Sequence, residues 1–124
     1  MEQVIWIITA NLTLRQKLPA LLQTLGYENR LFKLPKSALH TLGREDPPEL
    51  ILLDYNALEF LSKLRENPRF VHLPVVVVAP AASEVMLERV LHLDGDGCLG
   101  KPITPEALEK AITEALKRRR AMAG

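Results

Sequence analysis

A single doubly wound α/β domain on a five-stranded parallel sheet is the fold this sequence predicts, on three observations. Short uninterrupted apolar runs recur along the chain, as in Val4-Ile-Trp-Ile-Ile8 and Pro74-Val-Val-Val-Val78. Strands covered on both faces read this way, whereas half-solvated strands alternate apolar with polar. Between the runs, leucines recur at helical spacing, the mark of helices with one buried stripe. Finally, 124 residues that are 48% apolar suit one core, with right-handed crossovers placing helices on both sheet faces.

The elements follow in chain order. Val4–Ile8 is the first strand. Thr13 and Gln16 stand at capping-box spacing ahead of Leu14, Leu18, Leu21, Leu22 and Leu25, and Gly26 stops this first helix. Pro19 lies inside it, which predicts a kink near Arg15. Asn29 to Leu34 reads as a short second strand, and Pro35 opens a modest helix that Gly43 ends. After the turn cluster Glu45-Asp-Pro-Pro48, Leu50-Ile-Leu-Leu53 runs straight into Asp54. Leu58, Leu61 and Leu64 mark the third helix, up to Asn67-Pro68, and Pro74–Val78 is the plainest buried strand. Ser83 caps a fourth helix carrying Val85, Met86, Leu87, Val90, Leu91 and Leu93. Asp94-Gly-Asp-Gly97 then turns into a brief strand at Cys98-Leu99. Thr104-Pro105-Glu106 combines an N-cap, a first-position proline and an acid at the positive end of the dipole. Leu108, Ile112 and Leu116 give the fifth helix its stripe.

Composition narrows the function. Sixteen Lys and Arg against fifteen Asp and Glu give a formal charge of +1, so no whole-molecule field recruits nucleic acid or an anionic membrane. The lone Cys98 has no disulfide partner in the chain and no zinc-like neighbour spacing. With neither a signal peptide nor a membrane span in evidence, a soluble cytoplasmic protein is expected. His40, His72 and His92 follow no metal-ligand spacing. No nucleophile elbow or Gly-rich phosphate loop appears, so an independent enzyme is not expected.

In such sheets ligands gather at the carboxyl ends of the strands, near the point where strand order reverses. The residues just after each apolar run are therefore the candidates: Thr9, Ala10, Asp54, Ala79 and Lys101. At these landmarks the chain resembles a receiver domain of the response-regulator family, through Ile5-Trp-Ile-Ile8, Leu-Leu-Asp54, Pro-Val-Val-Val-Val78 and Gly-Lys101-Pro102, with Arg15 and Gly26 also at family spacing. The resemblance spans almost the whole chain. It implies a flavodoxin-like sheet with strand order 2-1-3-4-5, and one domain over residues 1–124 with no output domain.

By the same resemblance Asp54 occupies the phosphoacceptor position, where a carboxylate nucleophile is chemically suited. The bland alternative is a strand-end acid that pairs with Lys101 or caps a loop. Lys101 matches the family's phosphate-neutralising lysine, and the bond to Pro102 is implied to be cis; an ordinary Lys-Pro turn is the alternative. The departures weigh more. Where receivers carry two acids that help hold Mg²⁺, this chain has Thr9 and Ala10. Mg²⁺ wants hard oxygen ligands in octahedral array, and Asp54 with a backbone carbonyl near Asn56 would hold it weakly. The family's hydroxyl after strand four is Ala79, and its switching aromatic on strand five is Cys98. Tyr55-Asn56-Ala57 also enters the third helix without the usual longer turn.

Two surfaces remain. The fourth helix is apolar around more than one stripe, so Met86, Leu87, Val90, Leu91 and Leu93 form a candidate partner face, unless the helix is simply deeply buried. The resemblance also implies dimer or output contacts through helix four, strand five and helix five. Lys117-Arg-Arg-Arg120 suits the negative end of its helix and is expected to face water rather than bind an acidic partner. The favoured function is a stand-alone receiver-like signalling module that works by protein–protein interaction, with weak, altered or absent phosphorylation. Its partner would be a histidine kinase or a separate output protein. The alternatives are a working phosphoacceptor in a phosphorelay using Asp54 and, last, a flavodoxin-like cofactor binder.

Overall fold

A computed structural model describes residues 4–81 and 83–123. Its strands are β1 (Val4–Ile8), β2 (Glu28–Phe32), β3 (Leu50–Asp54), β4 (Val75–Ala79) and β5 (Gly97–Gly100). They alternate with helices α1 (Leu12–Thr24), α2 (Pro35–Leu42), α3 (Glu59–Glu66), α4 (Glu84–His92) and α5 (Pro105–Ala123). The sheet is parallel throughout, in the order β2-β1-β3-β4-β5, as the resemblance implied.

The burial of each strand explains its composition. Every residue of β3 and β4 is buried, and so is β1 from Ile5 onward, whereas the edge strand β2 buries only Phe32. Successive side chains point to opposite faces, so each apolar run feeds two cores. Ile5, Ile7, Leu52 and Val76 meet the leucines of α1 and Leu108 and Ile112 of α5. Trp6, Ile8, Leu53 and Val77 meet α2, α3 and α4 through Ala38, Phe60, Leu61 and Val90. Among the described residues no helix is long and apolar enough to cross a membrane.

Several local expectations shift. The N-cap of α1 is Asn11, whose Oδ1 accepts from the Leu14 N–H at 3.0 Å, so Thr13 lies inside the helix. The helix continues through Pro19 and stops before Gly26, whose φ of 88° suits a residue without Cβ. Strand β2 begins one residue earlier than expected and ends at Phe32, because its register on β1 pairs Ile8 with Phe32. Ser83 and Thr104 cap α4 and α5 as expected, accepting from Met86 N–H and Ala107 N–H at 3.1 Å each.

The arginine run is the clearest correction. Arg119 is 2% exposed and belongs to a charged clamp that joins α3, the β4 entry, the Asp94–Gly97 turn and α5. The fully buried Asp96 carboxylate accepts from Arg119 Nε at 2.6 Å, Arg65 Nη2 at 3.2 Å and Val75 N–H at 2.9 Å. Arg65 also donates to the carbonyls of Phe70, Leu73 and Asp94, and Arg119 to those of Val71 and Asp94. Burial, then Arg119 beside it, pulls Arg65 down to about 10. Burial also works against the charge on Arg119, but its hydrogen bonds to Asp96 and Asp94 outweigh that and hold it above its ordinary value. The run could not show this, because the paired acids lie more than twenty residues upstream. The clamp pins the strand ends opposite Asp54.

Candidate functional site

The carboxyl ends of β1 and β3 place Thr9 and Asp54 side by side. Asp54 is the last residue of β3 and only 8% exposed. The Thr9 hydroxyl donates to Asp54 Oδ2 at 2.6 Å, and the Asn56 N–H donates to Oδ1 at 3.0 Å as the chain bends into a 3₁₀ turn over Tyr55–Ala57. Thr9 is itself held from several sides. Its N–H donates to the Phe32 carbonyl at 3.0 Å, its Oγ1 accepts from Asn11 N–H at 3.0 Å, and its carbonyl accepts from Arg15 Nη1 at 3.1 Å. A hydrogen bond to a charged group contributes about 1.5–3 kcal/mol. The hydroxyl that the resemblance marks only as a missing acid is therefore the carboxylate's partner.

This arrangement leaves one carboxylate with each oxygen already accepting a hydrogen bond. Among the described residues no three His, Cys, Asp or Glu side chains converge, and the position beside Thr9 is Ala10. Mg²⁺ needs hard oxygen acceptors in octahedral array, and a hydroxyl engaged as a donor, a backbone N–H and a methyl group leave the Asp54 carboxylate without a second acid beside it.

Lys101 is exposed and, among the described residues, joins no ion pair with Asp54. It lies instead on a separate depression of about 350 Å³ with Lys17 and Ile103. Its bond to Pro102 is cis, as the resemblance implied. Ala79 ends β4 at 1% exposure, beside β5. Cys98 is half-buried on β5, and that burial pushes its thiol up. In α4, Val90 is wholly buried in the core and so leaves the candidate partner face; it is the position that turns to the sheet. Met86 and Leu93 are half-buried, while Val85, Leu87 and Leu91 are exposed. His40, His72 and His92 all face solvent.

One feature escaped the sequence altogether. A cleft of about 870 Å³ lies over the carboxyl ends of β1 and β3 and takes in Thr9, Ala10, Asp54 and Tyr55. Lys33 from the loop ahead of α2, Lys36 from the first turn of α2, Lys63 from α3 and Arg89 from α4 also line it. Those four cations come from three regions separated by dozens of residues, so no spacing rule joins them.

Comparison with known proteins agrees with this architecture. The family model described as the response regulator receiver domain matches residues 5–113. The two-component response regulator ORR5 of Oryza sativa subsp. japonica is 28% identical over 87 residues, a match spanning 66% of this chain and 65% of the rice protein's length. Among solved structures, a sensor protein from Polaromonas sp. JS666 is similar with a TM-score of 0.85 at 23% identity, over 96% of this chain and 99% of that one. A CheY-like response regulator receiver domain protein from Methanospirillum hungatei JF-1 is similar with a TM-score of 0.81 at 20% identity, covering 98% and 99%.

Proposed function

This chain belongs to the response regulator receiver domain family, and from that premise we propose that it is a two-component signalling module acting by protein–protein contact, with aspartyl phosphorylation weak, altered or absent. The observation that carries this reading is the pairing of Asp54 with a hydroxyl in place of a second acid. Its Oδ2 takes the Thr9 hydroxyl and its Oδ1 the Asn56 amide, and Ala10 beside Thr9 adds no carboxylate for the cation that phosphoryl transfer needs. Phosphoryl transfer relies on positioned positive charge to offset the phosphate oxygens. Here Mg²⁺ has one carboxylate to bind and is held weakly, and Lys101 joins no ion pair with Asp54 among the described residues. Ala79 brings no hydroxyl to report a phosphoryl group, and Cys98 is too small to swing as an aromatic lever.

The module's contacts are with a histidine kinase or a separate output protein in the cytoplasm. Exposed Val85, Leu87 and Leu91 on α4 favour α4, β5 and α5 as the contact or homodimer face. The competing reading is a phosphoacceptor in a phosphorelay, favoured by the position of Asp54 at the end of β3. The two readings separate on incubation with acetyl phosphate and Mg²⁺, followed by intact mass, with Asp54→Asn as the control. An unmodified protein is expected; a phosphoryl mass increment that disappears in Asp54→Asn would overturn the reading.

A further inference from the structure

We propose that the cleft over the ends of β1 and β3 is a binding site for a small organic phosphate with an apolar body, held by Lys33, Lys36, Lys63 and Arg89. The inference rests on the reading that Asp54 is not a phosphoryl acceptor, and adds a non-covalent ligand to the same end of the sheet.

Position is the first argument. The strand order turns at β1 and β3, since β2 lies outside β1 while β4 and β5 continue beyond β3. Open α/β sheets hold their ligands at such switch points, outside the carboxyl ends of the strands. Size is the second. About 870 Å³ falls in the range of roughly 300–1,000 Å³ typical of small-molecule sites. The direct passage of β3 through Tyr55–Ala57 into α3 leaves no longer loop to cover it.

Charge is the third argument, and it selects the ligand. Four cations line the cleft against two carboxylates, Glu59 and Asp54, although the whole chain carries only +1. Asp54 is nearly buried, with each oxygen accepting a hydrogen bond, which mutes its repulsion of an anion. None of the four cations joins an ion pair among the described residues. Several unpaired cations drawn to one cleft favour a dianion over a neutral guest. The lining is not purely ionic. Leu34, Leu39, Tyr55 and Leu58 give an apolar wall, and Leu34 is 55% exposed, an uncovered hydrophobe that an apolar body would shield. The cleft is also distinct from the Lys101 surface, which opens on a different depression.

The test is titration of the full isotope-labelled chain with 1-naphthyl phosphate, followed by amide shifts. Saturable shifts are expected at Lys33, Leu34, Lys36 and residues 55–59, with a Kd of roughly 1 mM or tighter. Inorganic phosphate and neutral 1-naphthol should each bind at least about tenfold more weakly. Lys33→Glu/Lys36→Glu replaces two exposed side chains, so it should keep the native spectrum while losing about tenfold or more in affinity. Lys17→Glu/Lys101→Glu, on the separate depression, should bind as the parent does. Failure to saturate by roughly 10 mM, shifts centred on Lys17 and Lys101, or affinity indifferent to the Lys33 and Lys36 reversal would each overturn the proposal. Phosphorylation of Asp54, read separately by mass, would sink the preceding functional reading while this titration reports on the cleft itself.

Discussion

Replacing Asp96 with alanine is the sharpest test of how this fold is held together. The Asp96 side chain has no exposure and accepts from Arg119, Arg65 and the Val75 amide. Removing it strands two guanidiniums whose side chains are 3% and 9% exposed. Breaking a buried ion pair by deleting one partner costs about 3–5 kcal/mol, and the orphaned amide adds to this. Asp94 remains within 2.9 Å of Arg119 and offsets part of the loss, so about 3–4 kcal/mol is expected. For a chain of this length that corresponds to a fall in Tm of roughly 10–20 °C. Asp94 is the control, being 43% exposed at its side chain and at a φ of 66° that asparagine tolerates. Asp94→Asn should therefore cost only about 1 kcal/mol or less. The assay is urea unfolding with the denaturant slope compared across variants. Asp96 is one of the charges that counter the burial of Arg65, so its removal lowers Arg65 further. A loss under about 1 kcal/mol for Asp96→Ala, or an equal loss for Asp94→Asn, would refute the assignment of Asp96 as the clamp's centre.

Three further outcomes follow from particular contacts. Gly95→Ala places a Cβ 2.5 Å from Val90 Cγ1 and 3.1 Å from Leu61 Cδ2, an overpacking that should lower unfolding free energy by about 1–3 kcal/mol. Thr9→Val keeps the shape of the side chain but removes the donor to Asp54, and should cost about 1.5–3 kcal/mol. Thr9→Ser should recover most of that stability, and equal stability of the valine and serine variants would show the hydroxyl to be idle. Burial raises the Cys98 thiol, so at neutral pH it should react with iodoacetamide more slowly than a free cysteine peptide and reach the peptide's rate in urea. Equal rates in the folded protein would contradict its half-buried place on β5.

Much of the fold was legible in the residues because local chemistry and global packing agree. Val4–Ile8, Leu50–Leu53 and Val75–Val78 are apolar at every position, and only strands covered on both faces require that. Leu14, Leu18 and Leu22 repeat at helical spacing because α1 shows a single stripe to the sheet. Ser83 and Thr104 announced their helices because an N-cap acts on amides only two or three residues away. Asp54 was legible as the end of β3.

What only tertiary structure decided depends on groups brought together across the chain. Thr9 and Asp54 are 45 positions apart, so the sequence marks an acid as missing without revealing that a hydroxyl has taken its place on the carboxylate. Arg119 sits in a basic run that any local rule assigns to water, and only the approach of Asp96 to its guanidinium makes burial of that charge tolerable. The cations around the cleft come from the loop ahead of α2 and from α2, α3 and α4, and converge only through the packing of those helices on the sheet. The sequence by itself determined which segments must be buried, because hydrophobic burial is written residue by residue. Where the charges meet was left to the packing, because Coulomb and hydrogen-bond energies depend on distances that the chain order does not contain.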